Sequence, residues 1–123
     1  MKTQKQFILD TLLPYKQDPT TCAMELRSCK YLTEDGRKCA VGKHMKKGKW
    51  QTGLMAVSGI SQHFGLKKVL KKSALKQGLT IKQWGHIQSY HDSIARDYSD
   101  ESINEAVSDI EESLNIDLTE LKF

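Results

Sequence analysis

The sequence lacks most of the features that assign a chain of 123 residues at a glance. No window approaches the run of about 20 apolar residues that spans a membrane. The opening Met1-Lys-Thr-Gln-Lys-Gln has none of the apolar stretch of a signal peptide. The chain is therefore expected to be cytoplasmic, with no membrane partner. Cysteine is sparse, at Cys22, Cys29 and Cys39. An odd set without an export signal reads as thiols rather than a disulfide framework, which leaves packing, metal binding or catalysis as their roles. There is no internal repeat, no low-complexity tract, no glycine-rich phosphate loop, no helix-turn-helix signature and no arginine pair for reading base edges. Sequence-specific DNA recognition is thereby disfavoured.

Acidic residues are also nearly missing from the middle of the chain. Residues 27–82 hold 14 lysines and arginines against only Glu34 and Asp35, whereas residues 83–123 hold two basic residues against 10 acidic ones. The net charge of +4 hides this partition. A cationic middle marks a surface that attracts an anionic partner, such as nucleic acid, a nucleotide or an acidic protein; the plainer alternative is that the two blocks neutralise one another across the fold.

The length suits one domain, residues 1–123, burying roughly two-thirds of its unfolded surface. Phe7, Ile8 and Leu12 share a helical face from Thr3, and Pro14 disfavours helix in the residue before it, so a first helix is expected to end near Leu13. Glu34-Asp35-Gly36 lies between Lys30-Tyr31-Leu32 and Arg37-Lys38-Cys39, and Asp-Gly suits a tight turn between two short strands. Residues 43–53 read as a basic loop containing Trp50, and 54–64 as a possible short helix. Leu66 to Gln77 reads as one helix with lysines on its outer face and Gly78 as its stop. Thr80 caps the most regular amphipathic stretch, in which Ile81, Trp84, Ile87, His91, Ile94 and Tyr98 recur at spacings of three and four to about Asp97. Ser99-Asp100-Glu101 opens a last helix with Ile103, Ala106, Val107, Ile110 and Leu114 inward. The end, Ile116 to Phe123, could pack on its own core or on another subunit. The expected fold is mainly helical α+β, a small β-hairpin packed on four or five helices.

Three constellations could carry chemistry. Cys39 follows Arg37 and Lys38 and precedes a glycine-ended turn, a setting that lowers a thiol pKa. His91, on the inner face of its helix, could serve as base, with Asp92 or Gln88 as orienter. Neighbouring helical residues diverge by about 100°, which makes Asp92 the poorer orienter. The plainer alternatives are a packed thiol and a satisfied core histidine. A zinc set of Cys22, Cys29, Cys39 and His44 lacks the short Cys-x-x-Cys knuckle, so no metal and no cofactor is assigned. Third, Lys43, Lys46, Lys47 and Lys49 surround Trp50, cations with an aromatic that suit phosphate contact and base stacking, and Lys67, Lys68, Lys71 and Lys72 could extend that surface.

The runs Cys29-Lys-Tyr-Leu, Asp35-Gly-Arg-Lys-Cys-Ala-Val-Gly42 and Ile87-Gln-Ser-Tyr-His-Asp92 together resemble a pattern in a family of small uncharacterised bacterial and bacteriophage proteins. In those proteins a Cys-x-Tyr, an Asp-Gly-x-Lys-Cys-Ala-Val-Gly and a Gln-x-x-His-Asp occur in that order. The resemblance implies that Cys39, Gln88, His91 and Asp92 belong to one site or packing unit. Relatives often continue with apolar and acidic residues where this chain has Lys43-His-Met-Lys-Lys-Gly-Lys49, which fits a bacteriophage accessory protein with a divergent partner. The function expected is a non-enzymatic binding module, an inhibitor or counter-defence factor if its partner is a host protein. The alternative is a small cysteine-dependent hydrolase or transferase using Cys39 and His91.

Overall fold

A computed structural model describes residues 2–25, 28–47 and 64–123, with side chains at all of these except 28, 29, 64, 66 and 67. The protein is mainly helical. Helix α1 spans Gln4–Gln17, and its first free N–H groups are met by Thr3, whose hydroxyl accepts from Gln6 N–H at 3.1 Å. It runs straight through Pro14 instead of ending before it. The last turn carries Tyr15, fully buried with its hydroxyl donating to the Lys38 carbonyl at 2.5 Å, and Lys16, whose ammonium donates to the Glu120 and Lys122 carbonyls. These tertiary anchors outweigh a local preference that costs about 3 kcal/mol in an unsupported helix.

Asp18 caps a 3-10 turn at Pro19–Thr21, and β1 (Met24–Glu25) then pairs antiparallel with β2 (Ser28–Cys29), Met24 opposite Cys29. The Tyr31–Cys39 segment doubles back through a single antiparallel bridge, Leu32 with Lys38, rather than two extended strands. Gly36 takes the positive φ of 88° that its turn requires. A 3-10 turn at Gly42–His44 leads to a second isolated bridge, Met45 with Leu70.

That bridge explains a departure from the single helix expected over residues 66–77. Two short helices, α2 (Phe64–Val69) and α3 (Lys72–Leu75), are separated at Leu70 and Lys71. Val69 carbonyl accepts from Lys46 N–H at 2.6 Å and Lys71 N–H donates to His44 carbonyl at 2.8 Å, so backbone groups that would continue the helix are spent on the neighbouring segment. Met45 and Leu70 are completely buried beneath the crossing. The expected helix over residues 54–64 falls almost wholly outside the described residues.

Helix α4 (Ile81–Ala95) begins with a reciprocal cap between Thr80 and Gln83 and buries Ile81, Trp84, Ile87, His91 and Ile94, the expected stripe. Tyr98 is the exception, half exposed at 52% because the helix ends at Ala95 and Asp97 turns the chain with φ 55°. Helix α5 (Asp100–Leu114) is capped by Ser99 and stops at Asn115, φ 54°. α4 packs against both α1 and α5. The C-terminal segment closes over the chain's own core: Leu118 and Leu121 are fully buried, and Tyr90 donates its hydroxyl proton to the Leu121 carbonyl at 2.8 Å. Among the described residues no helix is long and apolar enough to cross a membrane.

Candidate functional site

The 31–42 segment is held in shape by short-range polar contacts. Thr33 hydroxyl bonds the Asp35 carboxylate, Arg37 N–H donates to Thr33 Oγ1 at 3.0 Å, and Arg37 Nε meets both Asp35 oxygens at 2.9 and 3.0 Å. The same guanidinium reaches across to the carbonyls of Cys22 and Met24 at 2.9 and 3.3 Å, tying the turn to β1. Cys39 N–H donates to Tyr31 carbonyl at 3.3 Å. Gly42 then passes so close to Tyr31 that a Cβ on it would lie 2.0 Å from that carbonyl oxygen.

This path buries Cys39 completely, and its sulfur accepts the Gly42 N–H at 3.2 Å. Burial pushes the thiol up to about 12, against the opposing pull of the Gly42 and Val41 N–H groups and Gln88. Cys22 is also buried and pushed up to about 11, chiefly by desolvation and then by the nearby Asp92 charge. Neither setting is the electropositive, partly exposed one that makes a thiolate.

Helix α4 supplies the facing groups. Gln88 Oε1 accepts Val41 N–H at 3.1 Å, and its amide donates to Asp92 Oδ1 at 2.8 Å. His91, fully buried, receives Ala23 N–H on Nε2 at 3.0 Å. A backbone N–H can only donate, so Nε2 holds the lone pair and the ring proton sits on Nδ1, which donates to Asp92 Oδ1 at 2.8 Å. Asp92 thus orients its neighbour, contrary to the argument from helical angles: the divergence of adjacent Cβ directions does not stop a carboxylate from curling back to a ring nitrogen one residue away. Tyr15 packs edge-on to the His91 ring with centroids 4.7 Å apart. Cys39, Gln88, His91 and Asp92 therefore gather where the 39–42 turn meets α4. Among the described residues no hydrogen bond joins Cys39 to His91, and both ring nitrogens are spent on Ala23 and Asp92. Chemically the arrangement is a set of acceptors and donors that satisfies buried backbone N–H groups.

The lysines fall into two settings. Lys46, Lys47, Lys68, Lys71 and Lys72 are exposed, and the Met45–Leu70 bridge lays their two segments side by side. Lys43 turns inward: half-buried, its ammonium donates to Thr11 carbonyl at 2.8 Å and sits 4.0 Å from the centre of the Tyr15 ring, and desolvation lowers its pKa. Lys49 and Trp50 lie outside the described residues, as do the side chains of Lys67 and Cys29. Of the proposed zinc ligands, Cys22 and Cys39 are free thiols and His44 is bonded through Nε2 to Thr11 Oγ1 at 2.8 Å.

Tyr15, Arg37, Cys22 and Thr11 take part without having been singled out for these roles. Tyr15 had a sequence signal, its place three residues after Leu12 on the same helical face, which the expected stop at Leu13 concealed. The long-range reach of Arg37 to β1 had none. Compared with known proteins, the chain matches no family model, no curated protein and no solved structure.

Proposed function

We propose that the protein is a small non-enzymatic binding module of the cytoplasm whose lysine surface holds an anionic partner: nucleic acid, a nucleotide or an acidic protein. The observation that carries this reading is the Met45–Leu70 bridge, which places Lys46 and Lys47 beside Lys68, Lys71 and Lys72. The ion pairs support it too. Glu111 on α5 pairs with Lys122 at 3.2 Å, within the acidic block itself, and among the described residues no ion pair engages Lys47, Lys68, Lys71 or Lys72. Internal neutralisation of the two charge blocks draws no support from that pattern.

In this reading residues 30–39 are a small hairpin packed on a bundle of four or five helices, and Cys39 with Gln88, His91 and Asp92 is the buried staple that fixes it. The buried, protonated thiol and the occupied histidine lone pair support a packing role over the cysteine-hydrolase alternative. A bacteriophage accessory or counter-defence role is the setting we propose from the motif resemblance.

The test is a titration of a fluorescent single-stranded oligonucleotide with the full chain at 50 to 300 mM salt. The expected result is affinity that falls linearly in a log–log plot with a slope near −0.7 for each phosphate neutralised, about −2 to −3 for three or four lysines. Binding independent of salt, or no binding at 50 mM, would refute a phosphate-contacting surface.

A further inference from the structure

Beside the lysine surface lies a cleft of about 740 Å³, the size range of small-ligand sites, between α1, the Gly42–His44 turn and α3. Its chemistry is not that of the exposed lysines. Lys2 and Lys76 line it, together with Lys43, whose ammonium is turned inward to the Thr11 carbonyl and the Tyr15 ring, and the one carboxylate among its lining residues is that of Asp10. That carboxylate is already engaged by Lys2 at 2.6 Å and by the Gln6 amide at 2.7 Å. The cleft therefore carries a net positive field, concentrated by its partly desolvated walls.

Its wall is aromatic. The Phe7 and His44 rings lie against each other with centroids 4.5 Å apart and planes 32° apart, backed by Trp84 at 5.9 and 5.8 Å. The orientation of His44 follows from Thr11. Thr11 hydroxyl donates its single proton to the Phe7 carbonyl at 2.8 Å, so toward His44 it accepts, and the His44 proton is on Nε2. Burial, with Lys43, Lys71 and Lys2 nearby, pushes this imidazole down to about 4, so near neutral pH the ring is uncharged. Nδ1 is then a lone-pair acceptor, and no protein donor among the described residues reaches it.

A ligand complementary to this cleft has an anionic group for the ammonium groups, a flat ring for the aromatic wall and an N–H to donate to a ring nitrogen. We propose that the cleft binds a nucleoside monophosphate, its phosphate beside Lys2 and Lys76 and its base against His44. This rests on the anion-binding reading for the class of partner, but it names a different site from the exposed lysines.

The test uses the full chain in calorimetric titrations with the four ribonucleoside monophosphates, with the nucleosides alone and with sodium phosphate. The native chain is compared with Lys76→Glu and with the double variant Lys46→Glu, Lys47→Glu. Circular dichroism checks each fold, and the amide shifts of Thr11, His44 and Gln77 in the native chain are followed by NMR, which needs no variant. At least one monophosphate is expected to bind at millimolar concentration or tighter and to shift those amides. It should bind at least tenfold tighter than its nucleoside or phosphate alone, weaken at least tenfold in Lys76→Glu and hold its affinity in the double variant. No binding by the native chain, phosphate binding as tightly as every nucleotide, or shifts confined to residues 46, 47, 71 and 72 would each overturn the proposal. If the double variant loses oligonucleotide binding while no nucleotide enters the cleft, the cleft assignment fails and the surface reading stands. If the native chain binds neither, both fail.

Discussion

Gly42 shows how closely single residues are constrained around the buried cluster. With a Cβ 2.0 Å from a backbone oxygen, an alanine there forces apart the Tyr31 and Gly42 chains, the contact that carries Cys39 into the core. Gly42→Ala is expected to cost more than about 3 kcal/mol in urea denaturation; a loss under about 1 kcal/mol would mean that the two segments separate easily. His44 provides a pH test. Its folded pKa is depressed to about 4 from 6.5, so between those values the unfolded chain binds the extra proton. Its contribution is present above pH 6.5 and lost as pH falls toward 4, about 3 kcal/mol in all. The stability-versus-pH slope over that window should flatten in His44→Gln; an unchanged slope would show that the ring is already protonated in the native state. Part of the cluster was legible in the sequence, because His91 stands on the apolar stripe of its helix and so faces the interior that receives Cys39. The partners were not. That His91 serves Ala23 N–H, and that Lys43 turns toward Tyr15 instead of solvent, depends on contacts between residues 28 to 68 positions apart, which local spacing does not encode.

Among the elements, α4 and α5 were legible almost to their ends, since long apolar stripes with Thr80 and Ser99 caps state both period and start. The failures came where tertiary contacts overrule local preference. α1 ignores Pro14 because Tyr15 and Lys16 are anchored across the fold, and the helix expected over 66–77 breaks because Leu70 is wanted in a bridge to Met45. Pro14 is thus a local cost that the fold absorbs: it offers no N–H to the helix. Pro14→Ala is expected to raise stability by about 2 kcal/mol, restoring a helical donor and exceeding the gain in unfolded-chain entropy. Thermal and urea unfolding check it, and unchanged or lower stability would show that the Asp10 carbonyl is served some other way.

At the scale of the molecule, the two charge blocks of the chain lie on different elements. The acidic residues of α5, exposed at Asp100, Glu101, Glu105, Asp109 and Glu112, belong to a helix packed on α4, while Lys46, Lys47, Lys68, Lys71 and Lys72 sit on the short segments joined through Met45 and Leu70. The partition was legible in composition; the juxtaposition of residues 46–47 with 68–72 was not, because a single backbone bridge creates it. A surface of this kind works by long-range attraction, which weakens beyond a Debye length of about 8 Å at physiological salt. The most direct measurement is therefore charge reversal on each face in one assay. Oligonucleotide affinity at 100 mM salt is compared among the native chain, a Lys46→Glu, Lys47→Glu, Lys71→Glu, Lys72→Glu variant and a Glu101→Lys, Glu105→Lys, Glu112→Lys variant, each confirmed as folded. The expected result is a loss of at least 100-fold for the lysine variant and no loss for the acidic-face variant. Equal affinity for the native chain and the lysine variant would contradict an anion-binding role for this surface.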